Sequence, residues 1–292
     1  MEPLSIEEIK KLTVIGLFSN DSLMAQLVLK GGNLLDLVYG ISTRPSKDID
    51  LSLRTEFEDV DQARRDIQDG LSGTFREHGY LVFDVKLQEE PRQVSGDTHS
   101  FWGGYKAEFK LLPDESAGLL ESDPHRARRE AAVAQGQQGR RFPIQISKYE
   151  YCDGAVEEEL DGFTIIVYSP SMLTSEKLRA ICQQMPECRR LVGGRSRPRG
   201  RDFLDLHAVI EHFRIDFADD SFQQTVQGVF GVKEVPLRLL GQIQSESVKE
   251  FHRDDFENIA ETIRPGEAIQ NYEFYWRFLV DRVALLKTLW NE

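Results

Sequence analysis

The chain has few cysteines, no long apolar run and no surplus of positive charge, and each shortage removes a class of function. Cys152, Cys182 and Cys188 are the three cysteines in 292 residues. Their odd number and their spacing fit neither a disulfide framework nor a zinc site, and reduced thiols are expected. None stands in sequence beside a histidine base, which argues against a cysteine nucleophile. No stretch approaches the roughly 20 consecutive apolar residues that cross a bilayer. The N-terminal MEPLSIEEIKKL is acidic and amphipathic, unlike a secretory leader. A cytoplasmic protein with no membrane partner is therefore expected. A formal net charge of −13 argues against a surface that binds nucleic acid throughout. Internal repeats and low-complexity tracts are lacking too. His207 and His212 lie five apart on an expected helix, not the four of a zinc pair, and read as ordinary helix residues.

What is present is locally patterned. Ser5 and Glu8 have the spacing of a capping box at the head of a helix over 5–17. Residues 27–30, LVLK, read as a short buried strand. Gly31 and Gly32 then make a tight turn, Asn33 suits the N-cap of a short helix LLDLVY, and Gly40 closes it. From Asp48 to Leu53 polar and apolar residues alternate, so Asp48 and Asp50 project from one face of a strand. A helix is expected over 58–78 and a strand over 80–87. Another strand covers 105–111, with Tyr105, Ala107, Phe109 and Leu111 inward and Glu108 on the polar face. Further strands are expected at 142–148 and 163–168. Helical spacing takes over from Ser171, with helices at 171–185 and 202–214 and a last one over 267–290. Phe203, Leu206, Ile210 and Phe213 recur at core spacing. Strands first and helices afterwards predict an α+β fold: a catalytic domain over 1–170 and a helical domain over 171–292.

Two basic segments stand out, HRARR at 125–129 and RRLVGGRSRPRGR at 189–201, the second with six arginines in thirteen residues. Its Gly and Pro make it a loop. It reads either as a solvated charge run or as an anion-binding loop.

Two carboxylates at i and i+2 on one strand face can share a divalent cation, and Mg2+ favours such hard oxygen ligands. A third from a neighbouring strand would complete a two-metal site. Glu108 is the preferred third member and Asp84 the competitor. Upstream, glycines let a backbone approach phosphates, and exposed N–H groups at a helix start favour anions. Either element alone is weak; in the order strand, Gly-Gly turn, helix, strand with Asp-x-Asp they are far more specific.

That order resembles the DNA polymerase β-like nucleotidyltransferase superfamily. LVLKGGNLLDLVYGISTRPSKDIDLSL is similar, more narrowly, to the AbiEii/AbiGii-type nucleotidyltransferase toxins, with their Lys-Gly-Gly-(Thr or Ser) and Arg-x-Ser-x-Asp-Ile-Asp-Leu elements. Lys30, Gly31 and Gly32 match the first; Arg44, Ser46, Asp48, Ile49, Asp50 and Leu51 match the second. SPSMLTSEKLRAI resembles the family's helix with a functional lysine, here Lys177. RPRGRDFLDLHAVI resembles its Arg-Asp-x-x-Asp-Leu element, here Arg201, Asp202 and Asp205. The chain departs at Asn33, where a hydroxyl residue is usual.

The resemblance implies a polymerase β-like catalytic domain with a mixed sheet flanked by helices. It implies transfer of a nucleoside monophosphate from an NTP, with release of pyrophosphate, dependent on Mg2+ or Mn2+. Asp48, Asp50 and Glu108 would hold metal. Lys30, Gly31, Gly32, Asn33, Arg44, Ser46 and Lys177 would hold the nucleotide, and Asp205 would orient Lys177 or approach the nucleotide. Asp202 reads equally as a favourable charge at a helix start. The setting implied is the toxin of a toxin–antitoxin or phage-defence system, with a cognate antitoxin and with RNA, the tRNA 3′ end, as acceptor. Two other readings stand beside it: a protein-nucleotidylating enzyme, and a catalytically silent nucleotide-binding module.

Overall fold

Ser5 and Glu8 open the first helix, α1 (Ile6–Phe18), with the reciprocal bonds their spacing requires: the Ser5 hydroxyl accepts from the Glu8 N–H and the Glu8 carboxylate accepts from the Ser5 N–H. The computed structural model describes residues 4–42, 48–91, 101–134, 139–192, 195–260, 263–264, 266 and 268–290. After α2 (Asp21–Gln26), β1 (Leu27–Lys30) leads into one helical turn, α3 (Gly31–Asn33). A wide turn follows, in which the Tyr39 N–H bonds the Leu34 carbonyl five residues back. Then come β2 (Ile49–Leu53), α4 (Val60–Arg76), β3 (Tyr80–Glu90) and β4 (Gly104–Pro113). Short helices α5 (Leu119–Ser122) and α6 (Pro124–Glu130) precede β5 (Phe142–Ser147), β6 (Val156–Leu160) and β7 (Phe163–Val167).

Among the described residues these strands form one mixed sheet in the order β3-β4-β5-β2-β1-β7-β6. β1 runs antiparallel to β2 with Lys30 opposite Asp50, while β2 runs parallel to β5 with Asp50 beside Gln145. One face carries Ile49, Leu51, Tyr105, Ala107 and Phe109 into an apolar core shared with α1 and α4. The other carries the polar residues that matter for chemistry.

The remainder is helical: α7 (Pro170–Cys182), α8 (Pro186–Val192), α9 (Gly200–Phe213), α10 (Asp220–Gly231), α11 (Glu246–Ala260), α12 (Tyr272–Val283) and α13 (Lys287–Trp290). A second apolar cluster forms here from Leu178, Phe203, Leu206, Phe230, Leu279 and their neighbours. Helix α7 feeds both clusters, Met172 and Leu173 to the first, Leu178, Ile181 and Cys182 to the second. The fold is thus α+β, with a mixed sheet, flanking helices and a helical C-terminal part, as expected. The strand β6, VEEEL, was not expected. Three successive glutamates hide its alternation, which an edge strand paired only with β7 tolerates. No helix among the described residues is long and apolar enough to cross a membrane.

Helices α1 and α4 approach through glycine. A Cβ on Gly70 would collide with the Gly16 carbonyl, and one on Gly16 would sit 3.0 Å from the Gly70 carbonyl. Gly70→Ala gains about 1 kcal/mol of helix propensity but forces the pair apart at a cost of about 1–3 kcal/mol. A net loss of stability is expected in denaturant melts; a stabilised variant would refute the close packing.

Candidate active site

β1 ends and β2 begins at the site. Because Lys30 and Asp50 are cross-strand partners, their side chains share a face. Gly31 follows with φ +73, a left-handed conformation that suits glycine. A Cβ there would lie 2.7 Å from Asp50 Oδ2 and 3.0 Å from Asp50 Cβ, so the carboxylate rests directly on the bare Gly31 backbone. Asp48 lies just before β2 and is exposed, while Asp50 is half-buried. Burial raises the Asp50 carboxyl to about 6; Lys30 and Lys177 pull it down, and Glu176 and Asp48 push it up. The glycine turn and the paired aspartates therefore do come together.

Asn33 takes a different role from the one its type suggested. It ends α3 and stands at the cap position of the wide turn Leu34–Val38, as expected, but its φ of −72 is helical, its side chain caps no N–H there, and it is fully buried. Its Nδ2 donates to the Asp48 carbonyl at 2.5 Å. The cap position of α3 itself belongs to Lys30, which offers no side-chain bond there. Lys30 instead reaches the buried Glu150 carboxylate at 3.2 Å, so it acts as a neutralising partner within the fold. Gly40 does close the turn, with φ +63. Arg44 and Ser46 lie outside the described residues.

Glu108 lies on the same face of the sheet as Asp50 but not on the strand next to it. It aligns with Pro143 of β5, and β5 separates it from β2, a gap of two strand spacings or about 10 Å. Lys106 at 2.9 Å and Arg141 at 3.6 Å hold its carboxylate. The Lys106 hydrogen bond lowers its pKa. Asp84 is farther still, on the edge strand β3 at a bulge with φ 52, and Arg128 and Lys110 hold it at 2.8 and 3.0 Å. Its pKa falls to about 2, through the Arg128 hydrogen bond above all. Among the described residues no three His, Cys, Asp or Glu side chains gather as a metal cluster. The residue of β5 beside Asp50 is the neutral Gln145.

Helix α7 brings the positive charge. Lys177 is buried, its Nζ 2.7 Å from Asp205 Oδ2 and 3.2 Å from Asp202 Oδ1. Burial alone would lower its pKa, but Asp205, Asp202 and Glu176 raise it, so the ammonium stays charged. Asp202 sits in the first turn of α9 and also accepts from Arg199 Nε. Burial opposes its ionisation, yet Arg199 and Lys177 hold its carboxyl well below the usual range. The Arg199 N–H in turn donates to His252 Nδ1 at 2.9 Å, and burial drops that imidazole to about 4.

Four residues of this layer escaped the sequence reading: Glu150, Glu176, Arg179 and Lys233. Glu150 is bonded by Arg179 at 2.9 Å and Lys30 at 3.2 Å, with Lys233 at 3.5 Å. Burial opposes its charge, but Arg179, Lys30 and Lys233 outweigh burial and hold the carboxyl well below its usual range. Arg179 carried one available signal, lying two residues from Lys177 and so on the opposite side of the same helix. Of the basic segments, Arg126 and Arg128 in 125–129 form ion pairs with Glu130 and Asp84. In 189–201, Arg190, Arg195, Arg197 and Arg201 are exposed, while Arg199 turns inward to Asp202. His207 packs against the rings of Phe274, Tyr275 and Phe278, as an ordinary helix residue should.

The Asp50 carboxylate rests on the bare Gly31 backbone, with Asp48 and the charges of Lys30 and Lys177 acting on it, so the glycine turn, the aspartate pair and the lysine helix meet. The chain belongs to the AbiEii nucleotidyltransferase toxin family: the family model described as "Nucleotidyl transferase AbiEii toxin, Type IV TA system" matches residues 15–278. It is therefore a nucleotidyltransferase with the polymerase β-like fold of that family. A crystal structure of an antigenic nucleotidyltransferase-like protein from Paracoccidioides brasiliensis shares 15% identity with it, covering 80% of this chain and 95% of that one at a TM-score of 0.37. No curated protein matches.

Two outcomes are expected. Because the folded pKa of Asp50 lies above 3.8, its contribution to stability is full below that value and is lost as the pH rises through about 6. In EDTA, Asp50→Asn should melt above wild type at pH 7, with the gap closing towards pH 4; an equal gap at both pH values would refute the assignment. Gly31→Ala should displace the carboxylate and cut pyrophosphate release about 100-fold, the scale of a 1 Å misplacement.

Proposed function

We propose that the chain transfers a nucleoside monophosphate from an NTP to an acceptor hydroxyl of RNA, with the tRNA 3′ end as the favoured acceptor. The observation that carries this is the Asp50 carboxylate seated on Gly31 beside the exposed Asp48, on the side reached by the charge of Lys177. The acceptor oxygen bonds to the α-phosphorus, the bond from that phosphorus to the β-phosphate oxygen breaks, and pyrophosphate leaves as the hydroxyl proton is lost.

The donor set suits a hard divalent cation, Mg2+ or Mn2+: two carboxylates on one strand edge, one exposed, and one whose burial leaves its charge in want of a partner. Asp48 and Asp50 would hold it, and when bound it would neutralise phosphate charge and favour ionisation of the acceptor hydroxyl. Gly31 and Gly32 leave the backbone open to a phosphate. Two of the three N–H groups of Lys177 point to Asp205 and Asp202, and the third is left for a phosphate oxygen. Asp205 fixes that ammonium in place. Arg44 and Ser46 are assigned to the phosphates by family resemblance alone.

The exposed arginines of 189–201 adjoin this layer through Arg199 and offer an RNA backbone its counter-charge. We further propose a division near residue 170 into a catalytic and a helical domain, a cytoplasmic site of action, and a toxin role against phage that a cognate antitoxin restrains.

Incubation with labelled NTPs, Mg2+ and total tRNA tests the proposal. Wild type should label RNA and release pyrophosphate, and the Asp48→Ala, Asp50→Ala double variant should do neither. Label on protein in place of RNA would move the acceptor to a side chain, and nucleotide binding without pyrophosphate release would leave a silent binding module.

A further inference from the structure

We propose that Asn33 is a positioning residue: it fixes Asp48 through the main chain and is not itself a phosphate ligand. The inference rests on Asp48 being a metal-binding carboxylate, as proposed above. Asn33 is fully buried, and the one side-chain bond it makes is to the main chain. Its Nδ2 donates to the Asp48 carbonyl at 2.5 Å. That bond fixes the orientation of the amide, because the flipped group would set two carbonyl oxygens against each other.

The other end of the amide makes the argument specific. Asn33 Oδ1 has no hydrogen-bond partner among the described residues, although it is buried. A buried acceptor without a donor is a cost that an apolar side chain of similar size would avoid. The amide earns its place through the Asp48 carbonyl. Phosphate oxygens are acceptors too, so Oδ1 has nothing to offer them. A serine or threonine hydroxyl, one atom closer to the backbone, is too short to make the same bond from this position.

Asp48 is exposed and stands just before β2, which starts at Ile49, so the Asn33 bond meets the chain at the entry to that strand. The short helix α3 supplies both constraints on the aspartate pair: Gly31 sets where the Asp50 carboxylate rests, and Asn33 sets the backbone from which the Asp48 carboxylate projects. Groups that orient metal ligands in this way typically change metal affinity by about 10- to 100-fold when removed.

The test uses Mn2+ alone as probe, with its binding to the full chain measured by electron paramagnetic resonance. Wild type, Asn33→Ser and the Asp48→Ala, Asp50→Ala double variant are compared, with circular dichroism as the check of folding. Asn33→Ser should weaken Mn2+ binding about 10- to 100-fold. At saturating Mn2+ it should leave the KM for NTP within about twofold, because the lost group acts on the ligand strand and not on the nucleotide. Unchanged Mn2+ binding with a shifted KM would overturn the proposal and make Asn33 a phosphate ligand. If Asn33→Ser does not fold, Asn33→Asp, equal in size but with an oxygen facing the Asp48 carbonyl, should weaken Mn2+ binding at least as much; wild-type affinity there overturns the proposal. If wild type binds Mn2+ no better than the double variant, the metal-site reading fails first, and that result is distinct from a failure of Asn33 alone.

Discussion

The contact between the Asp50 carboxylate and the bare α-carbon of Gly31 is the constraint on which the site depends. It needs three things at once: antiparallel pairing that sets Lys30 opposite Asp50, a left-handed φ of +73 at residue 31, and no Cβ there. Only glycine meets the last two without strain. The contact brings the end of β1, the start of α3 and the aspartate-bearing strand β2 into one corner, and the rest of the sheet serves to hold that corner still.

Around the corner runs a layer of buried charge between two apolar clusters. Helix α7 crosses it with a cation on each side: Lys177 towards Asp202 and Asp205 of α9, Arg179 towards Glu150 beyond β5. Glu150 also gathers Lys30 and Lys233, so one carboxylate faces three cations. Removing one partner of such a pair leaves an uncompensated buried charge, which makes the set interdependent. The same positive surplus lies beside Asp50 and partly offsets the burial that raises its pKa. Structure and electrostatics at the site are therefore set by the same residues, and the ties from β1 through Glu150 to α7 join the sheet to the helices.

Local pattern carried much of this. The capping box at Ser5 and Glu8, the alternation through Asp50, and the i, i+3 spacing of Asp202 and Asp205 each depend on neighbours a few residues apart, and each took the expected form. Glu108 shows where such reasoning stops. Alternation put it on the polar face, but β5 intervenes between β4 and β2, and strand order is not written in the period of either strand. Asn33 shows a second limit. An asparagine after two glycines suits a cap, and Asn33 does precede the turn Leu34–Val38, yet a helical turn already runs from Gly31 and the side chain caps nothing, turning inward to Asp48. Glu150 carried no local signal, because its partners come from β1, from α7 and from the segment after α10.

The sequence by itself determined most of the elements, the aspartate pair, the glycine turn and the membership of the lysine helix, because hydrogen bonding and burial within a strand or helix repeat over a few residues. Tertiary structure alone decided which carboxylates meet. It kept Glu108 and Asp84 away from the pair, set Gln145 beside Asp50, and closed the cations around Glu150. Those outcomes depend on the order in which strands lie side by side and on which helix covers the sheet, and they are fixed only when distant segments pack.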